Sequence, residues 1–145
     1  MAIFTQAQAA RGPSLIDLGT LAAGAYLASP AIDLGTAIPL DVTLEAECDP
    51  SGLPTSNKRL ILFVKLSLDN IQFGTGPESG TDSTNEADLH WIGTLPCNDT
   101  NPHRKFFSLQ GLPVARYLKL VAKNEMGVPL ASGNIYKAHI TGASG

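Results

Sequence analysis

The chain has 145 residues, 16% of them charged, and a formal net charge of −3. That length suits one domain able to bury roughly 70% of its unfolded surface, so neither a metal nor a disulfide is needed to hold a core. Its ten Lys and Arg are scattered, with neighbours only at Lys58-Arg59 and Arg104-Lys105, which argues against a nucleic-acid binder; no apolar run approaches the length of a membrane span.

The chain opens with MAIFTQAQAARG, which lacks the basic segment and long apolar run of an export signal, so synthesis in a cytoplasm is expected. Residues 1–13 read as an extended arm, and 14–145 as one domain. Ile16-Asp17-Leu18-Gly19-Thr20 then returns as Ile32-Asp33-Leu34-Gly35-Thr36. A solenoid needs several stacked copies, and there is no third. Each copy reads as a short strand end. Ile and Leu flank an outward Asp that accepts hydrogen bonds from turn amides, and a Gly tolerant of positive φ closes it. Two aspartates fall short of the roughly six to eight oxygens that calcium takes. Between the copies, LAAGAYLASPA has alanines that favour helix, but Gly24, Ser29 and Pro30 limit any helix to about two turns. A strand or an irregular crossover is expected there.

IPLDVTLEAE alternates Ile38, Leu40, Val42, Leu44 and Ala46 with polar residues and Pro39, the period of a strand with one face on the core. In RLILFVKLSLDN, Leu60, Leu62, Val64, Leu66 and Leu68 make one side, while Ile61 and Phe63 make the other apolar near its start. This predicts a central strand covered on both faces for part of its length. GTGPESGTDSTNEAD, residues 74–88, has only Ala87 as an apolar anchor and reads as a flexible, solvated loop. LHWIGTL, KFFSL, RYLKLVAKN and NIYKAHIT supply four more strands separated by Gly, Pro, Asn and Asp clusters. The whole predicts an all-β antiparallel sandwich of about eight strands.

Catalytic grammar is missing. No GxSxG, P-loop, HExxH or CxxC occurs, and His90, His103 and His139 have no nucleophile or orienting partner in view. His90 reads as a sheet residue on the face opposite Trp91, His103 as a turn residue, and His139 as facing solvent or a partner. Cys48 and Cys97 lie in turn-like settings. One disulfide is arithmetically possible, and free thiols are the reading for a reducing compartment. A zinc site built from them lacks any close ligand pair. No catalytic, metal or cofactor site is therefore expected, and the chain reads as a non-enzyme. The aromatics, Trp91 and Phe106 among them, fit a core; a sugar-stacking platform is the binding alternative.

Several phrases in order (FTQAQA, SLIDLGT, IPLDVTLEAE, LSLDN, LPVARYLKLVAKN and NIYKAHITG) resemble the small capsid cement, or decoration, proteins of tailed bacteriophages, particularly the Bordetella-phage type. The resemblance spans most of the chain, and its most specific element is PVARYLKL. The loop at 74–88 and the two cysteines depart from it. It implies a jelly-roll-like β-sandwich that binds outside a shell of major capsid protein, clamps neighbouring subunits and acts as a homodimer without cofactor. It also implies residence on the capsid exterior after synthesis in the bacterial host cytoplasm. Ile3 and Phe4 of the arm, with Arg11 and Arg116, are the expected capsid or subunit contacts. A carbohydrate or host-receptor binding module of a phage virion is the alternative.

Overall fold

The computed structural model describes residues 3–7, 12–36 and 41–144, with side chains described for 12–36 and 41–137. Its strands are β1 (Ile3–Ala7), β2 (Ile16–Asp17), β3 (Tyr26–Ala28), β4 (Ile32–Asp33), β5 (Asp41–Pro50), β6 (Arg59–Ser67), β7 (His90–Pro96), β8 (His103–Ser108), β9 (Tyr117–Glu125) and β10 (Leu130–Ser144). One sheet runs β1-β10-β5-β8, with β2 on the same long strand β10; the other runs β3-β9-β6-β7, with β4 also on β9. Every pairing is antiparallel. If β1 with β2, and β3 with β4, each count as one interrupted edge, there are eight positions in chain order. First then pairs with eighth, second with seventh, third with sixth and fourth with fifth. That is the order of a jelly roll, an all-β sandwich.

The alternation in β5 does what its period dictates: Val42, Leu44, Ala46 and Cys48 are buried, with half-buried residues between them. They meet Leu60, Leu62 and Val64 of β6 and Leu118, Leu120 and Ala122 of β9 in one core between the sheets. Each fully buried Leu there contributes roughly 1.5–3 kcal/mol. Leu66 is only half-buried, and Ile38 and Leu40 lie outside the described residues. Leu68, expected on the core side, is instead 86% exposed, because β6 ends at Ser67. Ser67 Oγ accepts from the Asn70 amide, and Asp69 Oδ1 accepts from the amides of Ile71 and Gln72, which turns the chain outward.

The repeated IDLGT marks matching positions in the two sheets. Ile16-Asp17 pairs on β10 and Ile32-Asp33 on β9, each with its Ile buried and its Asp exposed. Asp17 Oδ1 accepts from the Gly19 amide at 2.9 Å, and Asp33 Oδ1 from the Gly35 amide at 2.8 Å. The expected positive φ falls on Gly35 (89°) in the second copy. In the first it falls one residue later, on Thr20 (64°), whose amide donates to the Leu130 carbonyl.

Residues 74–88 are mostly exposed, as expected of a solvated loop, but they are tied to the sheet beneath. They run as a strap over the outer face of the β3-β9-β6-β7 sheet. The Tyr26 and Ala28 amides donate to the Gly80 and Glu78 carbonyls, continuing the sheet beyond its β3 edge. Leu89, at the end of the strap, is buried with Tyr26, Ile61, Phe63 and Val121 in a second apolar cluster. β6 is thus covered on both faces, as its sequence requires. Lys65 is 5% exposed and donates to the Gly76 carbonyl and to Glu78, which also holds Lys119; Glu86 holds Lys123. The Lys65 hydrogen bond, then Lys119, keeps the Glu78 carboxyl below its ordinary range. Burial alone would lower the Lys123 ammonium, but Glu86, Tyr26 and Glu125 hold it above its ordinary value.

Candidate functional site

The two ends of the sandwich differ. At one, β5 and β9 begin, β6 and β8 finish, and β10 runs on beyond its last pairing with β5, Ile140 with Asp41. Past that point residues 141–144 pair with Ile3–Gln6 of β1, so arm and tail form a two-stranded ribbon at this end. The arm's backbone is therefore tied to its own chain. The side chains of Ile3 and Phe4, and Arg11 altogether, lie outside what the structure describes.

Beside the ribbon's end of the sandwich, the connection over residues 109–115 leaves an apolar cleft of about 140 Å³. Leu34, Val42, Leu66, Leu109, Leu112 and Leu118 line it. A second, shallower depression shares Leu66, Pro113, Val114 and Ala115 and extends to Leu68. At this end stand three of the most exposed large apolar side chains described: Val114 (75%), which lines both depressions, Leu68 (86%), which lines the second, and Ile71 (81%), carried by the turn after β6. Turn chemistry forces two of them out. Asp69 and Ser67 fix the turn that displays Leu68 and Ile71, and Val114 follows Pro113 in the β8–β9 connection.

Arg116 sits at this end but is occupied within the chain. Its Nε and Nη2 donate to both oxygens of Asp33, at 2.8 and 2.9 Å, and its guanidinium lies 5.1 Å from the Tyr117 ring centre. The Arg116 hydrogen bond, followed by the Gly35 amide, holds the Asp33 carboxyl down at about 2. Among the described residues, the second IDLGT copy thus carries a charge clamp and the first does not.

The other end is closed at its core, and an open depression of about 400 Å³ lies over it, lined mostly by polar residues, Ser56, Asn57, Lys123, Asn124 and Glu125 among them. Asn124, fully buried, donates through Nδ2 to the Leu21 and Val128 carbonyls and accepts the Met126 amide at Oδ1. Cys48, near the end of β5, and Cys97, just past β7, are free, buried thiols with their sulfurs 3.4 Å apart. The hydrogen bond between the two thiols, with burial, pushes the Cys48 thiol up, while the same bond brings Cys97 down. Among the described residues no three or more His, Cys, Asp or Glu side chains are grouped to hold a metal. His103 opens β8 and bonds Asp99 at 3.0 Å, and His90 is exposed at the start of β7. The His139 side chain lies outside the described residues.

On the outer face of the β1-β10-β5-β8 sheet, among the described side chains, Arg104 pairs with Glu47, and Tyr136 donates to the same carboxylate. Trp91 stands opposite Phe63 and Phe106 opposite Glu45, so the two exposed aromatics belong to opposite outer faces and share no stacking platform. Among the described residues no helix is long and apolar enough to cross a membrane.

No protein-family model matches the chain, and no curated protein matches it. Of the residues expected from the sequence at a capsid or subunit contact, Arg116 lies at the ribbon end, and the exposed Leu68, Ile71 and Val114 were not among them. The available signal was apolar residues set among turn formers, in LSLDNIQFG and GLPVAR.

Proposed function

We propose that the chain is a structural virion protein that binds the outside of a tailed-phage capsid and cements neighbouring major-capsid subunits, as a homodimer and without catalysis. The observation that carries this reading is the exposure of Leu68, Ile71 and Val114 at the ribbon end of a jelly roll, where Val114 also lines an apolar cleft. Singly exposed apolar residues are ordinary, whereas three at one end, with a cleft beside them, are the composition of a docking surface. The ribbon adds a strand edge at β1, and unpaired edges recruit strands from other chains. Jelly rolls serve in capsids and in lectins alike, so the fold supports the reading without deciding it. Repetition over a closed shell turns modest single contacts into firm attachment. With Arg116 held by Asp33, attachment rests on apolar burial and tolerates salt.

The test is co-sedimentation of the purified chain with capsids that lack it. Binding at many copies per shell, retained in high salt and lost on deleting residues 2–11 or in the Leu68→Ser, Val114→Ser double variant, is the expected result. Binding to glycans with no capsid association would replace the reading by a carbohydrate or receptor module.

A further inference from the structure

We propose that Cys48 and Cys97 form a built-in dithiol site, which a disulfide oxidant such as oxidised glutathione converts into one covalent bridge between the two sheets. The two residues are 49 positions apart in sequence and stand in opposite layers, Cys48 in β5 and Cys97 just past the end of β7. Their sulfurs nevertheless face each other at 3.4 Å in the interior. A disulfide has its sulfurs about 2.05 Å apart, so each needs to move by only about 0.7 Å.

Both backbones are fixed where the approach requires them. Cys48 lies in the ladder between Gly133 and His103, and the Cys97 amide donates to the Lys58 carbonyl at 2.8 Å. The chain holds two cysteines and no more, so no competing intramolecular pairing exists. The two thiols hydrogen-bond each other, and Cys97 also donates to the Leu95 carbonyl at 3.5 Å. Cys97 adjoins the exposed turn Asn98–Asn101, so opening of that turn presents its sulfur first.

The reaction balances as two exchanges. The Cys97 thiolate attacks one sulfur of oxidised glutathione, forming a mixed disulfide and expelling a glutathione thiolate, which takes up the proton that Cys97 gave to solvent. Cys48, losing its proton, then attacks the Cys97 sulfur and expels the second glutathione, which is protonated in turn. Two protein thiols become one disulfide, and one oxidised glutathione becomes two reduced ones.

The experiment treats the folded chain with oxidised glutathione at mildly alkaline pH, quenches in acid, unfolds it and alkylates it with iodoacetamide. The expected product is monomeric, 2 Da lighter than the reduced chain, and unalkylated, with one peptide pair joined through Cys48 and Cys97. Its Tm should rise by about 10 °C, reversibly on adding dithiothreitol, because the bridge closes a loop of about 50 residues. Cys48→Ala, checked for folding by circular dichroism, should lose this rise. Two alkylated thiols, a stable glutathione adduct, a disulfide-linked dimer, or a Tm rise retained in Cys48→Ala would each overturn the proposal.

Discussion

The two ends of this sandwich are built from the same strands yet solve opposite problems. At the closed end the chain reverses over a fully buried Asn124, whose side chain satisfies two carbonyls and an amide, and two thiols fill the space beside it. Such an end shows water Leu53 and an open depression of about 400 Å³, but the residues lining that depression are mostly polar. At the open end the turns satisfy their own backbones with Asp69 and Ser67, and the apolar residues they carry are left pointing outward. Local polar satisfaction therefore buries side chains at one end and displays them at the other. Stability and contact are separated along the strand axis.

That separation can be broken by substitution. The largest effect should come from Asn124→Ala, which strips buried partners from Leu21, Met126 and Val128 at once. About 4 kcal/mol of stability should be lost, as read by urea unfolding. Gly127→Ala, at the same end, should cost about 2 kcal/mol or more. Gly127 has φ +72°, and an added Cβ would run into Thr55. At the open end, Leu68→Ser with Val114→Ser should change stability by less than about 0.5 kcal/mol, since neither side chain is buried. If instead that pair unfolds the chain while Asn124→Ala does not, the two ends have been assigned the wrong way round.

The smallest effect is a titration at the open end. Asp33 has its carboxyl depressed from 3.8 to about 2 by Arg116, so the clamp stabilises fully above pH 4 and is lost as pH falls through about 2. The gap in urea midpoint between the wild type and Arg116→Ala should therefore narrow between pH 5 and pH 2.5. A constant gap would show that Arg116 acts through its stacking on Tyr117 rather than through Asp33.

Much of the architecture was legible because strands declare themselves locally. The period of two in VTLEAEC and the doubly apolar start of RLILFVK reappear as a one-faced strand and a two-faced central strand. The IDLGT echo was readable as turn chemistry, down to the aspartates accepting turn amides. The strap over residues 74–88 was not, because its anchors are backbone carbonyls and charges rather than apolar residues. The clue lay on the strands, where Lys65, Lys119 and Lys123 needed carboxylates that Glu78 and Glu86 supply. The open end was harder still. Nothing in a sequence says whether Leu68 continues its strand or swings out; that depends on where Ser67 and Asp69 stop the ladder. The approach of Cys48 to Cys97 is likewise a product of topology, since no local pattern links residues on different sheets.

The position of β10 has a consequence for how the molecule comes into being. It is the hub of its sheet, with β1 and β2 on one side and β5 on the other, and all three precede it in the chain. During synthesis that layer cannot close until residues 130–144 have been made, however early its other strands emerge. The partner layer has its β6, β7 and β9 ladder available once residue 125 is out. Assembly is therefore ordered: one layer forms first and then serves as the surface on which the waiting strands are finally zipped together. Long-range closure of that kind makes folding slow, and it leaves the apolar face of β5 without its partner strand longest in the nascent chain.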